Sequence, residues 1–81
     1  MRVSVLLFSI LRDAVGRGAL DIDLPEGASG ADLIAQLGRT YGPIQQVADH
    51  VRLGINQRYA APDTLLNEGD EVALITPTSG G

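Results

Sequence analysis

Apolar and polar positions alternate from the first residues of the chain. In Arg2-Val3-Ser4-Val5-Leu6-Leu7-Phe8, Val3, Val5 and Leu7 recur at every second position, which predicts a strand with those three on one face. Ile10 to Val15 suits a short helix, closed by Gly16 and Gly18. Leu20-Asp21-Ile22-Asp23-Leu24 alternates without a break, as a strand with one buried face does, and Pro25-Glu26-Gly27 turns the chain. From about Gly30 to Tyr41 the period lengthens: Leu33, Ile34, Leu37 and Tyr41 form one helical stripe. Ser29 is a suitable N-cap and Asp32, three residues on, a short relative of the capping-box acid. Gly42-Pro43 ends this helix. Gly38, inside it, costs about 1 kcal/mol relative to alanine, and close packing on a sheet would explain its presence. Ile44 to His50 reads as a short turn or helix with Val47 inward. Val51 to Ile55 is a third strand, and Asn56-Gln57 a tight turn into Arg58-Tyr59-Ala60, because asparagine tolerates the left-handed backbone of hairpins. A loop from Pro62 to Glu68 and a turn at Gly69-Asp70 lead into the last strand, Glu71 to Ile75. Thr76-Pro77-Thr78-Ser79-Gly80-Gly81 follows.

Strand, strand, main helix, strand, short strand, strand is the order of an α+β chain with a mixed sheet of four or five strands and one principal helix. It predicts a β-grasp, ubiquitin-like roll over residues 1–75 and a free tail over 76–81. A single apolar stripe covers only one face of a sheet. In the last strand Val72 and Leu74 point one way, Ala73 and Ile75 the other, so one pair looks away from the helix. With Leu53, Ile55 or Tyr59, depending on register, that pair would make an apolar docking patch, unless loops cover it. Ile75, Tyr59 and Leu53 are the candidate partner-binding residues, with Ile75, just before the tail, as anchor.

Composition narrows the chemistry. The chain has 81 residues, enough for one domain, and 44% of them are apolar. Its longest apolar stretch, Val5 to Ile10, falls far short of the roughly 20 residues that span a membrane. No small-residue cleavage site follows it, so a cytoplasmic protein without membrane contact is expected. There is no cysteine, which excludes disulfides and side-chain thiolate chemistry. All six cations are arginines, scattered along the chain, against ten carboxylates and a net charge of −4. Nucleic acid would call for clustered positive charge. An acidic protein is steered instead toward basic partner surfaces, or is simply kept soluble. His50 is the only histidine and has no second imidazole or thiolate to complete a metal site, so no metal is expected and it reads as a surface residue. Ser79 has no arguable Ser-His-Asp constellation, and Asp70-Glu71 adjoin a turn rather than a cleft. Gly16-Arg17-Gly18 is too short for a phosphate loop and lacks the following lysine.

The end of the chain is the most suggestive part. Two terminal glycines arise by chance in about half a percent of chains, and a frayed terminus is the plain reading. Here, however, the last strand runs straight into the tail. Pro77 fixes one φ and removes a donor, which discourages further sheet pairing. The glycines let the backbone thread a slot too narrow for side chains.

The strand Gly69-Asp70-Glu71-Val72-Ala73-Leu74-Ile75, with Pro77 and Ser79-Gly80-Gly81 after it, resembles the small subunit of molybdopterin synthase, the MoaD family. Further matches are Phe8, Leu11 and Arg12, Leu24-Pro25-Glu26-Gly27-Ala28, Asp32-Leu33 and Asn56, so the resemblance spans the chain. Thr76 and Thr78 depart from the proline and valine usual there and make the tail more polar. The resemblance implies that an E1-like adenylyltransferase uses ATP to adenylate the Gly81 carboxylate. A sulfur donor enzyme then converts it to a thiocarboxylate. Pro77, Thr78, Ser79 and Gly80 would thread the tail into the large synthase subunit, where the sulfur passes to a pterin precursor. The chain itself would bind no cofactor and carry no catalytic base, being a non-catalytic subunit of a sulfurtransferase complex. Carriers for thiamine thiazole synthesis or tRNA thiolation share the fold and the Gly-Gly end. A protein modifier attached through Gly81, or an interaction module with an incidental Gly-Gly, are the alternatives from other classes.

Overall fold

The computed structural model describes residues 1–76; Pro77 to Gly81 lie outside the described residues. Eight elements follow in order: β1 (Arg2–Leu7), α1 (Ser9–Val15), β2 (Ala19–Asp23), α2 (Gly30–Thr40), α3 (Gly42–Val47), β3 (Arg52–Ile55), β4 (Arg58–Ala60) and β5 (Glu71–Ile75). The strands form one five-stranded sheet in the order β2-β1-β5-β3-β4. β1 and β5 pair in parallel and the other neighbours are antiparallel, giving the mixed sheet of a β-grasp roll.

The helices pack on one face of this sheet. Val3, Val5 and Leu7 of β1, Leu20 of β2, Leu53 of β3 and Val72 and Leu74 of β5 all point into the core. α2 meets them with Leu33, Ile34 and Leu37, the stripe that its period predicts. Its start is held by a full capping box: Asp32 N donates to Ser29 Oγ (3.2 Å), and Ser29 N donates to Asp32 Oδ2 (2.9 Å).

The segment after α2 is a short helix, α3, with Val47 turned inward and half-buried against the core, as expected; its fully buried residue is Ile44. Gly42-Pro43 does end α2, yet Pro43 also stands in the first turn of α3, where a missing N–H leaves nothing unpaired. Gly38 is small for α3 rather than for the sheet: a Cβ there would run into Gln45. Among the described residues no helix is long and apolar enough to cross a membrane.

Candidate functional site

The second face of the sheet carries no helix. Register sorts its residues into rows across the strands. Nearest the start of β5, Arg2 stands opposite Asp23. Next come Asp21, Ser4 and Glu71, aligned through Ser4. The third row crosses all five strands: Ala19, Leu6, Ala73, Gly54 and Tyr59. At the end from which the tail departs, Ile75 faces Arg52, and the alternation of β1 carries Phe8 to the same edge in extended backbone. The face is therefore polar and acidic at one end and mainly apolar at the other, where Arg52 is the one charge beside Ile75 among the described strand residues.

The apolar end is open. Tyr59 is 78% exposed and Phe8 49%. Leu6, Ala73 and Ile75, each half-buried, are flanked by one another. Ile75 leans over the bare backbone of Gly54, its Cδ1 standing 3.8 Å from where a Cβ would be. With Tyr59 on the far side, Gly54, Ala73 and Ile75 line a shallow concavity. Large apolar groups left in water this way are the usual mark of an interaction surface.

Of the predicted docking residues, Ile75 and Tyr59 come together on this face. Leu53 does not. It is 2% exposed and points into the core, because alternation along β3 sets it opposite in sense to Gly54, the partner of Tyr59. The two-residue turn at Asn56-Gln57 already dictates this pairing, with Ile55 opposite Arg58 and Gly54 opposite Tyr59. That signal excludes Leu53; alternation along β1, with Val3, Val5 and Leu7 inward, is the signal for Leu6 and Phe8. The tail residues Pro77, Thr78, Ser79, Gly80 and Gly81 lie outside the described residues.

The polar end explains how β5 is held in place. Asn56 and Gln57 both have positive φ, 51° and 69°, as the tight hairpin turn requires. Asn56 then reaches across to the start of β5. Its Nδ2 donates to Asp70 Oδ1 (2.9 Å), while its Oδ1 accepts from Glu71 N (3.0 Å). Asp70, 8% exposed, also accepts from Asn67 N through Oδ2 (2.7 Å). A buried carboxylate is tolerable here because both oxygens are bonded. The clamp joins the β3–β4 hairpin, which carries Tyr59, to the strand that leads to the tail. On the surface Arg2 Nε and Nη2 donate to Asp23 Oδ1 (2.9 Å) and Oδ2 (3.3 Å). Those hydrogen bonds, and then the charge of the guanidinium, hold the Asp23 carboxyl below its ordinary value and raise Arg2.

Among the described residues no three of His, Cys, Asp or Glu are grouped to hold a metal ion. His50 is exposed in the turn after α3. What the described residues offer is an open, mainly apolar surface beside the C-terminal end of β5.

Residues 5–81 match the sequence profile described as the ThiS family. The chain belongs to the ThiS family. A molybdopterin synthase sulfur carrier subunit from Chlamydomonas reinhardtii is 35% identical to this ThiS-family chain, over 100% of each protein. Among solved structures, SAMP1 from Haloferax volcanii superposes with a TM-score of 0.88 at 25% identity, covering 100% of both chains. One chain of a complex between subunits 1 and 2 of molybdopterin-converting factor from Helicobacter pylori matches the fold with a TM-score of 0.71 at 21% identity, again covering 100% of both. The β-grasp expectation and the resemblance read from the sequence both hold.

Proposed function

We propose that this chain is the sulfur-carrier subunit of a molybdopterin synthase, a cytoplasmic protein whose reacting group is the carboxylate of Gly81. The observation that carries the reading is the end-to-end match to a relative named as such a subunit, at 35% identity. In this reading the Gly81 carboxylate attacks the α-phosphorus of ATP on the E1-like adenylyltransferase, forming the acyl-adenylate and releasing pyrophosphate. That converts a poor electrophile into an acyl group with a good leaving group. The sulfur donor enzyme replaces AMP, and the resulting thiocarboxylate is a soft nucleophile on a narrow arm. Pro77, Thr78, Ser79 and Gly80 carry it into the large subunit, where it reaches the pterin precursor. Ordering these residues costs about 1–2 kcal/mol each, which docking of the body offsets. Ile75 and Tyr59, with Leu6, Phe8 and Ala73, supply that docking. The chain itself binds no cofactor; ATP belongs to the activating partner.

Deletion of Gly81 tests the assignment. With activating enzyme, ATP and sulfur donor present, the shortened chain is expected to keep its fold and gain no sulfur. A shortened chain that loads as well as the full one contradicts the mechanism. Ile75→Asp is expected to weaken binding to the large synthase subunit. A chain that binds a thiazole synthase in preference to that subunit would move the carrier to thiamine synthesis.

The likeness to SAMP1 favours a second reading, a protein modifier joined through Gly81 to lysines of other proteins. The chain has no lysine, so it would not build chains on its own side chains. Peptide mapping for target lysines that carry residues 59–81, the piece trypsin leaves because the last arginine is Arg58, in cells with and without the chain, separates this reading from the first.

A further inference from the structure

The outer face of the sheet has a direction as well as an apolar patch. Asp21 and Glu71 stand in one row, either side of Ser4, about 9–10 Å apart across two strand spacings. Neither is in an ion pair among the described residues; Arg2, the cation beside them, is committed to Asp23. The side chain of Asp21 accepts only a long hydrogen bond from Ser4 Oγ, 3.4 Å. This row lies two residues, about 7 Å, from the apolar row of Leu6 and Ala73, on the side away from the tail. Both rows share β5, whose far end is the root of the tail. A surface that covers Ile75 and Ala73 and continues along β5 reaches Glu71 next.

We infer that Asp21 and Glu71 are an orientation device that fits a strip of lysines or arginines on the protein receiving the tail, set one row beyond the pocket for Ile75. This rests on the carrier reading above and names a property of its docking surface. The physical reason is asymmetric. In the correct orientation the partner's basic strip meets two unpaired carboxylates while its apolar centre meets Leu6, Ala73, Ile75 and Tyr59. Turned by half a revolution in the plane of the sheet, the same surface would set apolar groups against Asp21 and Glu71 and its own cations against Ile75 and the like charge of Arg52. The reversed pose is thereby disfavoured against the one that directs the tail inward. Attraction between the two charge sets also speeds encounter, which makes the effect dependent on salt.

The test is association of the intact chain with the large subunit of molybdopterin synthase, followed by stopped flow at low and high salt. Asp21→Asn with Glu71→Gln is compared with a charge-matched control, Asp13→Asn with Asp49→Asn, two exposed positions in the helical part of the chain, outside the sheet. The outer-face pair is expected to associate about tenfold more slowly at low salt, with a flatter salt dependence, while the control pair behaves as wild type. Equal losses in both pairs would reduce the effect to net charge and overturn the inference. So would an unchanged rate in the outer-face pair. A free chain that dimerises, and stops doing so as Ile75→Asp, would also overturn it by showing that a second copy covers the face. If the wild-type chain forms no complex at all, the pairing with that subunit falls and this inference falls with it.

Discussion

The two faces of the sheet are built from the same strands, residue by residue in alternation, and they differ in what surrounds them. Val5, Val72 and Leu74 on one face are sealed by α2 and α3; Leu6, Ala73 and Ile75 on the other carry no helix and are flanked by Ala19, Gly54, Tyr59 and Arg52. Neighbours in sequence thus serve different ends. The covered side chains hold the fold, and the open ones are free to exchange water for a partner. Packing on the first face must be dense in the isolated chain, whereas apolar area on the second gains its free energy only in a complex. Stability and binding should therefore separate cleanly by residue parity.

Substitutions of decreasing effect test that separation. Leu37→Ala, on the stripe of α2, should cost about 2–5 kcal/mol by urea denaturation, since a side chain 1% exposed leaves a cavity. If it unfolds no more easily than wild type, the covered face is not the core. Asp70→Ala should lose about 1–3 kcal/mol, because Asn56 and the Asn67 amide would be left without their acceptor. Ile75→Asp lies one residue from the buried Leu74, yet it is expected to move the denaturation midpoint little and to weaken large-subunit binding tenfold or more. A loss of stability as large as that of Leu37→Ala would erase the distinction between the faces. Tyr59→Ala should show the same separation with a smaller binding loss, read by calorimetry.

The smallest effect concerns pH. The folded state holds Asp23 below its ordinary pKa through Arg2, so this contact stabilises the fold above the unfolded carboxyl's pKa. That contribution disappears as pH falls through the lower, folded value. Both groups are fully solvated, and the effect is correspondingly slight. Asp23→Asn should therefore show a marginally flatter loss of stability in acid than wild type; a steeper loss would contradict the sign.

Much of the covered face can be read from the chain because its signals are local. Leu20-Asp21-Ile22-Asp23 alternates, and Ser29 and Asp32 form the cap that their spacing suggests. α3 was harder because Gly42-Pro43 carries two meanings, the stop of one helix and the start of another. The clamp of Asn56 and Asp70 joins residues 14 apart in sequence through side-chain bonds that no period records. The outer face fell between these cases. Ile75 and Tyr59 stand out in the sequence as apolar residues left over by the helix, whereas the side that Leu53 takes depends on register, which alternation alone does not set. A two-residue turn at Asn56-Gln57 closes that question, since one step of slippage moves every side chain to the opposite face. The family resemblance rested most on the chain's end, which the strand β5 only introduces.

The central claim is that Gly81 carries the chemistry and the body presents it. Its most direct test is the intact mass of the chain after incubation with the E1-like activating enzyme, ATP and a sulfur donor. The account predicts a gain equal to one oxygen-to-sulfur exchange, located at Gly81 by fragmentation. A chain whose mass stays unchanged while the activating enzyme consumes ATP on a known substrate would contradict it.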